Sequence, residues 1–504
     1  MKLPNLIHVL LGIFCIALLP KAQAVVPPPD GGYPNFTTAE GDHALQALTS
    51  GLGNTAIGTF SLFSVTTGSF NTAVGAGALD LNTADSNTAT GAAALLFNTI
   101  GTENTANGTA ALEFNQTGSN NTANGAFALF SNTIGSENTA IGVAALRDNT
   151  TGVDNTATGF QALMSNTGVE NTANGSSALQ SNTVGEANTA IGSQALSLNT
   201  QGSGNTATGG SALFSNSTGD FNTANGDEAL FANTTGVQNT ATGSAALTSN
   251  TIGGGNTAYG FQALLNNTSG AANIAIGLQA LSGNVNGNLN IAIGGTSLFT
   301  NIAGNDNIAL GTSAGSNTTG SHNVDIANAG VAGESDTIRI GQPTNDRTFI
   351  AGIRGKTTGN ANAIPVVIDS DGQLGTMSSS RRFKHEIKPM DSASQAILSL
   401  KPVTFNYKSD NTNTPQFGLI AEDVAAVNPD LVVRDDNSQI YTVRYDAVNA
   451  MLLNEFLKEH RKVEAQQKQI DALTTRLERQ AAQIQKVSAL VETSKPAPQI
   501  VNNP

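Results

Sequence analysis

The sequence predicts a mainly β protein: a long repetitive β-roll or solenoid rod, then a small α+β region, then a carboxy-terminal coiled-coil helix. Three observations predict it. An asparagine returns about every 17 residues through most of the chain, the period stops after Gly333, and apolar residues repeat every seven positions near the end. Self-similarity at so short a period marks a solenoid with one coil per copy.

The asparagine stands at Asn54, Asn71, Asn87, Asn104 and onward to Asn307, with an echo at Asn323 and three steps of 16 residues. The unit reads N-T-A-x-G-x-x-A-L-x-x-N-T-x-G-x-x, and a worn copy begins at Thr37. Gly at position five marks one corner, and the second N-T-x-G (Asn98, Thr99 and Gly101 in one copy) marks another. Two short strands per coil are expected, one on N-T-A-x and one near A-L. Leu at position nine, from Leu62 through Leu79 and Leu95 to Leu298, reads as an inward ladder. In the first strand the constant Ala at position three competes with the Ile pairs of late copies (Ile274, Ile276, Ile291, Ile293). The favoured reading turns positions two and four inward, with Thr and Asn filling the earlier coils. Coils stacked at ~4.8 Å give a rod on the order of 80 Å. Sliding one chain by a single repeat restores nearly every contact, so such a rod does not set its own register.

Composition narrows the function classes. The chain has 504 residues, 54 glycines, no Trp and 5% aromatics, which speaks against one large globular core. The start, with Lys2, an apolar run from Leu6 to Leu19 and Ala22-Gln23-Ala24, reads as a secretion signal cleaved after Ala24. The run is short for a bilayer core that needs ~20 residues. The single cysteine, Cys15, lies inside this leader, so the mature chain is expected to carry no disulfide and no thiolate. No second membrane segment appears, and a secreted or cell-surface location follows. Net charge is −14, and from Thr37 to Gly333 there is one basic residue, Arg147, which excludes a nucleic-acid groove. The five histidines (His8, His43, His322, His385, His460) are too dispersed for a metal site, so neither metal nor cofactor is expected. Exposed Thr rows could bind ice or glycans, but solvated Thr and Asn are the commoner explanation.

After Gly333 short strands are expected over Asp336 to Gly341, Arg347 to Gly352, and a hairpin of Pro365 to Ile368 with Gln373 to Met377 around Ser370-Asp371-Gly372. Charge then rises in Ser378-Ser379-Ser380-Arg381-Arg382-Phe383-Lys384-His385-Glu386-Ile387. A Ser with a Lys five residues on can serve as nucleophile and general base. With a reference pKa near 10.4, such a Lys needs burial or a neighbouring cation, and Arg381 and Arg382 could supply the latter. Taken alone, a Ser run beside basic residues is more often a linker. Farther on, Val463, Ile470, Leu477, Ile484 and Val491 repeat every seven residues, with Gln466, Leu473, Gln480 and Val487 between them. That pattern predicts a coiled coil over 458–493, and β-branched residues with Gln layers suit three strands. The tail from Ser494 to Pro504 has the composition of a disordered segment.

Two resemblances add to this. The repeat, most closely at Asn273-Ile274-Ala275-Ile276-Gly277 and Asn290 to Gly294, resembles the head of trimeric autotransporter adhesins, which implies a three-chain β-roll. The copies here are longer, and the membrane-anchoring barrel that ends those adhesins has no counterpart. The stretch from Ser379 to about Leu457 resembles the endosialidase-type intramolecular chaperone domain of tail fibres, serine peptidase family seventy-four. Its opening S-D-x-R-L-K-x-x-I maps onto Ser379, Ser380, Arg381, Arg382, Phe383, Lys384 and Ile387. Leu400-Lys401-Pro402-Val403 to Tyr407, Phe417 to Val424, and Tyr441 through Leu453 follow in order. This resemblance implies a trimer-forming helper that cuts itself off once, with Ser379 as nucleophile, Lys384 as base and Ser378-Ser379 as the scissile bond. Ser380 stands where the family has Asp, and Phe383 where it has Leu.

The organisation expected is therefore a leader (1–24), a linker (25–36), repeats (37–333), a β-rich neck (334–377), the chaperone and self-cleaving domain (378–457), the coiled coil (458–493) and a tail (494–504). The function expected is a secreted homotrimeric fibre that associates through coiled coil and β-roll. An uncleaved adhesin binding a glycan or matrix surface through the rod is the rival. A hydrolase acting on other molecules is disfavoured by the scattered acids.

Overall fold

The computed structural model describes residues 34–351, 353, 363–435 and 437–494. The expected leader with Ala24 and Cys15, and the tail beyond Ser494, lie outside the described residues. The chain divides into two units, residues 1–349 and 350–504.

The first unit is a β-solenoid of about 18 turns. Its strands run from β1 (Thr38–Glu40) to β19 (Ile338–Ile340), three residues each, and form one 19-stranded sheet. Each strand pairs in parallel with the next in sequence, so that Ala faces Ala from Ala39 to Ala309. Nineteen rungs at ~4.8 Å make a stack on the order of 90 Å. The sheet continues past Gly333, because Ile338–Ile340 pairs with Val324–Ile326 as a further rung.

Two expectations about the coil are corrected. There is one strand per coil: the A-L segment is a turn in which Leu112, like the other ladder leucines, adopts a left-handed φ of 53°. That conformation costs a non-glycine residue roughly 1–2 kcal/mol. The turn offsets it by burying the Leu side chain completely and by donating Leu112 N–H to the carbonyl of Ala128 in the next coil, 2.9 Å away. The second correction concerns the strand. Position three, as in Ala106 and Ala123, is fully buried, and positions two and four face outward. Strand side chains alternate, so the orientation of Asn at position one decides that of its neighbours. That Asn is buried, which leaves Ala as the second inward residue and turns Thr and Ile out.

The buried asparagines hold the coils together through two ladders. Asn104 Nδ2 donates to Asn87 Oδ1 of the preceding coil (3.2 Å) and to Gly118 O of its own (2.9 Å). Asn115, at position twelve, donates to Asn98 Oδ1 (2.6 Å) and to the same Gly118 carbonyl (2.9 Å). The Asn104 Oδ1 in turn accepts the backbone N–H of Asn121 at 3.0 Å. Losing one such side chain strands several buried partners, each worth about 1–3 kcal/mol. Gly108 at the corner has φ 143°, and a Cβ there would sit 2.6 Å from the backbone of Gly125 in the next coil. The 16-residue copies shorten at the second corner: Asn82 Nδ2 bonds Ala84 O two residues on, where longer copies reach three residues on.

At the end of the stack Asp325 takes the place of the strand Ala and is buried. Thr318, in the slot of the second asparagine ladder, donates to Asp325 Oδ2 at 2.7 Å, and Arg339 pairs with Glu334 at 2.8 Å. Burial pushes the Asp325 carboxyl above its ordinary range.

One outer face carries a partly buried acid beside a cluster of aromatic rings. Phe97 stacks on Phe114 (5.1 Å between centroids), and Phe114 meets Phe130 edge-on at 5.0 Å. Glu113 occupies this region between the coils of Leu96 and Phe130, and burial raises its carboxyl from 4.5 to about 7. A raised folded-state pKa means stability is fullest below pH 4.5 and falls as pH rises toward 7. Nearby in the same row, Asp80 is also pushed up by burial and Arg147 is paired to Asp148, so no cation relieves Glu113. Glu113→Gln is therefore expected to raise the rod's stability at pH 8 by on the order of 1–2 kcal/mol, allowing for partial solvent screening. At pH 4 it should change little. Thermal melts of variant and parent at both pH values check this; an equal gain at both would remove the carboxylate from the account.

Candidate functional site

The second unit holds the candidate site. An antiparallel hairpin of Val366–Ile368 and Leu374–Thr376 precedes it, turning as expected around Asp371 and Gly372. The strand expected at Arg347 to Gly352 is not formed: residues 347–351 carry no strand, and Gly352 lies outside the described residues. A 3-10 turn, Arg381–Phe383, and a longer 3-10 segment, Asp391–Ser399, follow. Then come paired strands Val403–Phe405 and Gln416–Gly418, helix α1 (Ala421–Val427), paired strands Val432–Arg434 and Ile440–Val443, and helix α2 (Tyr445–Thr493).

The turn at Arg381–Phe383 explains how two residues five apart meet. Phe383 N–H donates to Ser380 O and Lys384 N–H to Arg381 O, both at 3.1 Å, which folds the chain back on itself. Lys384 Nζ consequently donates to Ser379 Oγ at 3.1 Å. Arg382 does not join them; its guanidinium lies 4.6 Å over the Phe383 ring. Phe383, which stands where the resembled family has Leu, is thus a platform for Arg382. Ser380 caps the turn with its backbone carbonyl and makes no side-chain cap bond. Ser378, Ser379 and Lys384 are all exposed.

The surrounding core is thin. Val424, Leu431, Val443 and Met451 are its buried apolar residues, with Ile397, Leu400, Leu419 and Val448 packed partly against them. Beside it an open apolar cleft of about 700 Å³ is lined by Ile397, Val403, Phe417, Tyr445 and Leu452 among others. Phe417 is 82% exposed there. On α2 the heptad residues Val463, Ile470, Leu473, Leu477, Ile484, Val487 and Val491 are all more than half exposed.

The sequence reading missed one cluster. Buried Ser394 receives hydrogen bonds from Asn454 Nδ2 (2.7 Å) and Lys458 Nζ (3.1 Å) and donates to Glu455, while Lys458 also pairs with Glu455 at 2.6 Å. These bonds fasten the 391–399 segment to α2, and they hold Glu455 below its ordinary carboxylate range. Asn454, Glu455 and Lys458 share one helical face, which was a readable signal; their partner sixty residues earlier was not. Lys458, bonded to both Ser394 and Glu455, serves as a tether. Among the described residues no group of three or more His, Cys, Asp or Glu could hold a metal, and no helix is long and apolar enough to cross a membrane.

A thin core, an open apolar cleft and a long helix with an exposed apolar stripe define the architecture: a β-solenoid followed by a small α+β region that leads into a long helix. Residues 379–433 match the peptidase S74 family, described as chaperone of endosialidase. The match begins on Ser379 and leaves Tyr441 to Leu453 outside it. No curated protein and no solved structure matches the chain.

Proposed function

We propose that the chain is a secreted, tail-fibre-like protein that assembles as a parallel homotrimer under the guidance of its own carboxy-terminal domain. That domain gathers three chains through α2, aligns them, and then cuts itself away between Ser378 and Ser379. Ser379 Oγ attacks the Ser378 carbonyl carbon while its proton passes to Lys384 Nζ. The C–N bond to Ser379 breaks, and the departing amine takes up that proton. Water then hydrolyses the ester, leaving the Ser378 carboxylate and a Ser379 with free amine and hydroxyl. The enzyme turns over once, on itself, and no external substrate is required.

The observation that carries this reading is the 3.1 Å contact of Lys384 Nζ and Ser379 Oγ at the first residues of the chaperone match. Self-association has separate support in the exposed stripe of α2, which in water needs a partner. Intact mass combined with native mass of the purified protein tests both parts. Two pieces that join at Ser378 and Ser379, in a threefold assembly, are expected. A full-length, folded monomer would overturn the proposal.

A further inference from the structure

The outward face of the solenoid sheet changes its chemistry along its length. From Thr55 to Thr257 position two is threonine in every coil, and position four mixes Thr and Asn with scattered aliphatics and, in the last of these coils, Tyr259. From Ile274 onward both positions are aliphatic in every strand: Ile274 and Ile276, Ile291 and Ile293, Ile308 and Leu310, Val324 and Ile326, Ile338 and Ile340. Register pairing sets each residue beside its counterpart in the next rung, so two aliphatic rows run unbroken for five rungs. They point to solvent, because Ala275, Ala292, Ala309 and Asp325 between them are the buried residues. Ile338 and Ile340 are 69% exposed. No charged residue stands in either row.

We propose that this aliphatic block is where copies of the chain meet within the rod, and that it is a register mark. The inference rests on the reading of the chain as a self-associating fibre. A second copy fits the face for two reasons, and the size of the face limits what it can do. The rows have the same length and spacing on every copy, so they are complementary to themselves. They are free of charge, so a chain of net charge −14 meets no repulsion there. The footprint, five rungs at ~4.8 Å by ~7 Å between positions two and four, is only on the order of 170 Å². That is below the ~800 Å² per partner of a stable interface, so the block aligns chains already tethered elsewhere.

The register follows from where the block stops. Its neighbour toward the amino terminus is the Thr257 and Tyr259 rung. Two chains bury all their aliphatic rungs only when coil matches coil. A slip of one repeat sets Ile against Thr at one end and leaves a rung uncovered at the other. The threonine coils offer no such distinction, and the block would keep the copies aligned after the carboxy-terminal domain has left.

Single cysteines in a Cys15→Ser background test this, with a short bismaleimide as the probe on the full-length protein. Ile291→Cys, with Leu310→Cys as a second site should the first disturb folding, is expected to cross-link between copies. The yield should exceed that of Thr122→Cys on the threonine face by roughly tenfold, since held cysteines meet at high effective concentration. In a mixture of Ile274→Cys chains with a size-tagged Ile291→Cys chain, like is expected to join like. Equal yields at Ile291 and Thr122, or Ile274 joined to Ile291 as often as to itself, in a protein of threefold native mass, would overturn the inference alone. A monomeric native mass would overturn the fibre reading together with it.

Discussion

Chains that end at Ser378 are expected to give roughly tenfold less soluble, threefold rod than the parent, with the remainder insoluble or out of register. The reason lies in the uniformity of the coil. From Asn54 to Asn256 the inward set is nearly invariant: two asparagines, two alanines and one leucine per copy. Every interaction that stacks one coil on the next is therefore equally available to a coil one repeat away, so alternative alignments differ little in energy. The exposed sheet ends add a route to aggregation, since an unpaired strand edge accepts any other. The aliphatic rungs from Ile274 to Ile340 discriminate between registers, but their area is too small to bring chains together from dilute solution. Tethering must come first, and α2 is the element with the apolar stripe to provide it. Native mass and soluble fraction of the truncated chain measure the effect. Threefold rods of parent-like yield from that truncation would remove the chaperone role.

The rod was legible because its signal is repeated many times over: a period, a leucine in phase and two glycine corners leave little but a solenoid. What escaped was which side of the strand faced in. The Ile pairs of Ile274 and Ile291 suggested an apolar interior at positions two and four, by the ordinary rule that apolar residues are buried. That rule yields to the asparagine ladder. A coil this narrow has room for Ala and Leu and closes the rest with amide hydrogen bonds, so the larger aliphatics are displaced outward. The left-handed leucine turn was likewise hidden, since nothing in an A-L dipeptide announces φ near +53°. In the second unit the pairing of Ser379 with Lys384 was readable, because both residues lie within one turn. The Ser394 tether was not, because it joins segments that only the fold brings together.

Ser379→Ala and Lys384→Ala should each leave a single full-length band on a denaturing gel, under conditions where the parent splits in two. The loss expected is at least 100-fold in cleavage rate, the usual consequence of removing a nucleophile or its base. The two variants separate chemistry from assembly, since neither side chain belongs to the core around Val424 and Leu431. Both should still give threefold rods. The same pair is exposed in the single chain, and a lysine acts as a base only where burial or a nearby cation disfavours its ammonium form. Arg382 is turned onto Phe383, which leaves Arg381 and burial by neighbouring copies as the remaining sources. Cleavage should then follow assembly. Ile470→Asp with Leu477→Asp, which places charge on the stripe of α2, is expected to keep the chain whole although Ser379 and Lys384 are intact. Rapid cleavage of that monomeric variant would show that one chain suffices. A parent that never splits would reduce the carboxy-terminal domain to a chaperone that stays attached, with Ser380 in the family's aspartate position as the first residue to restore.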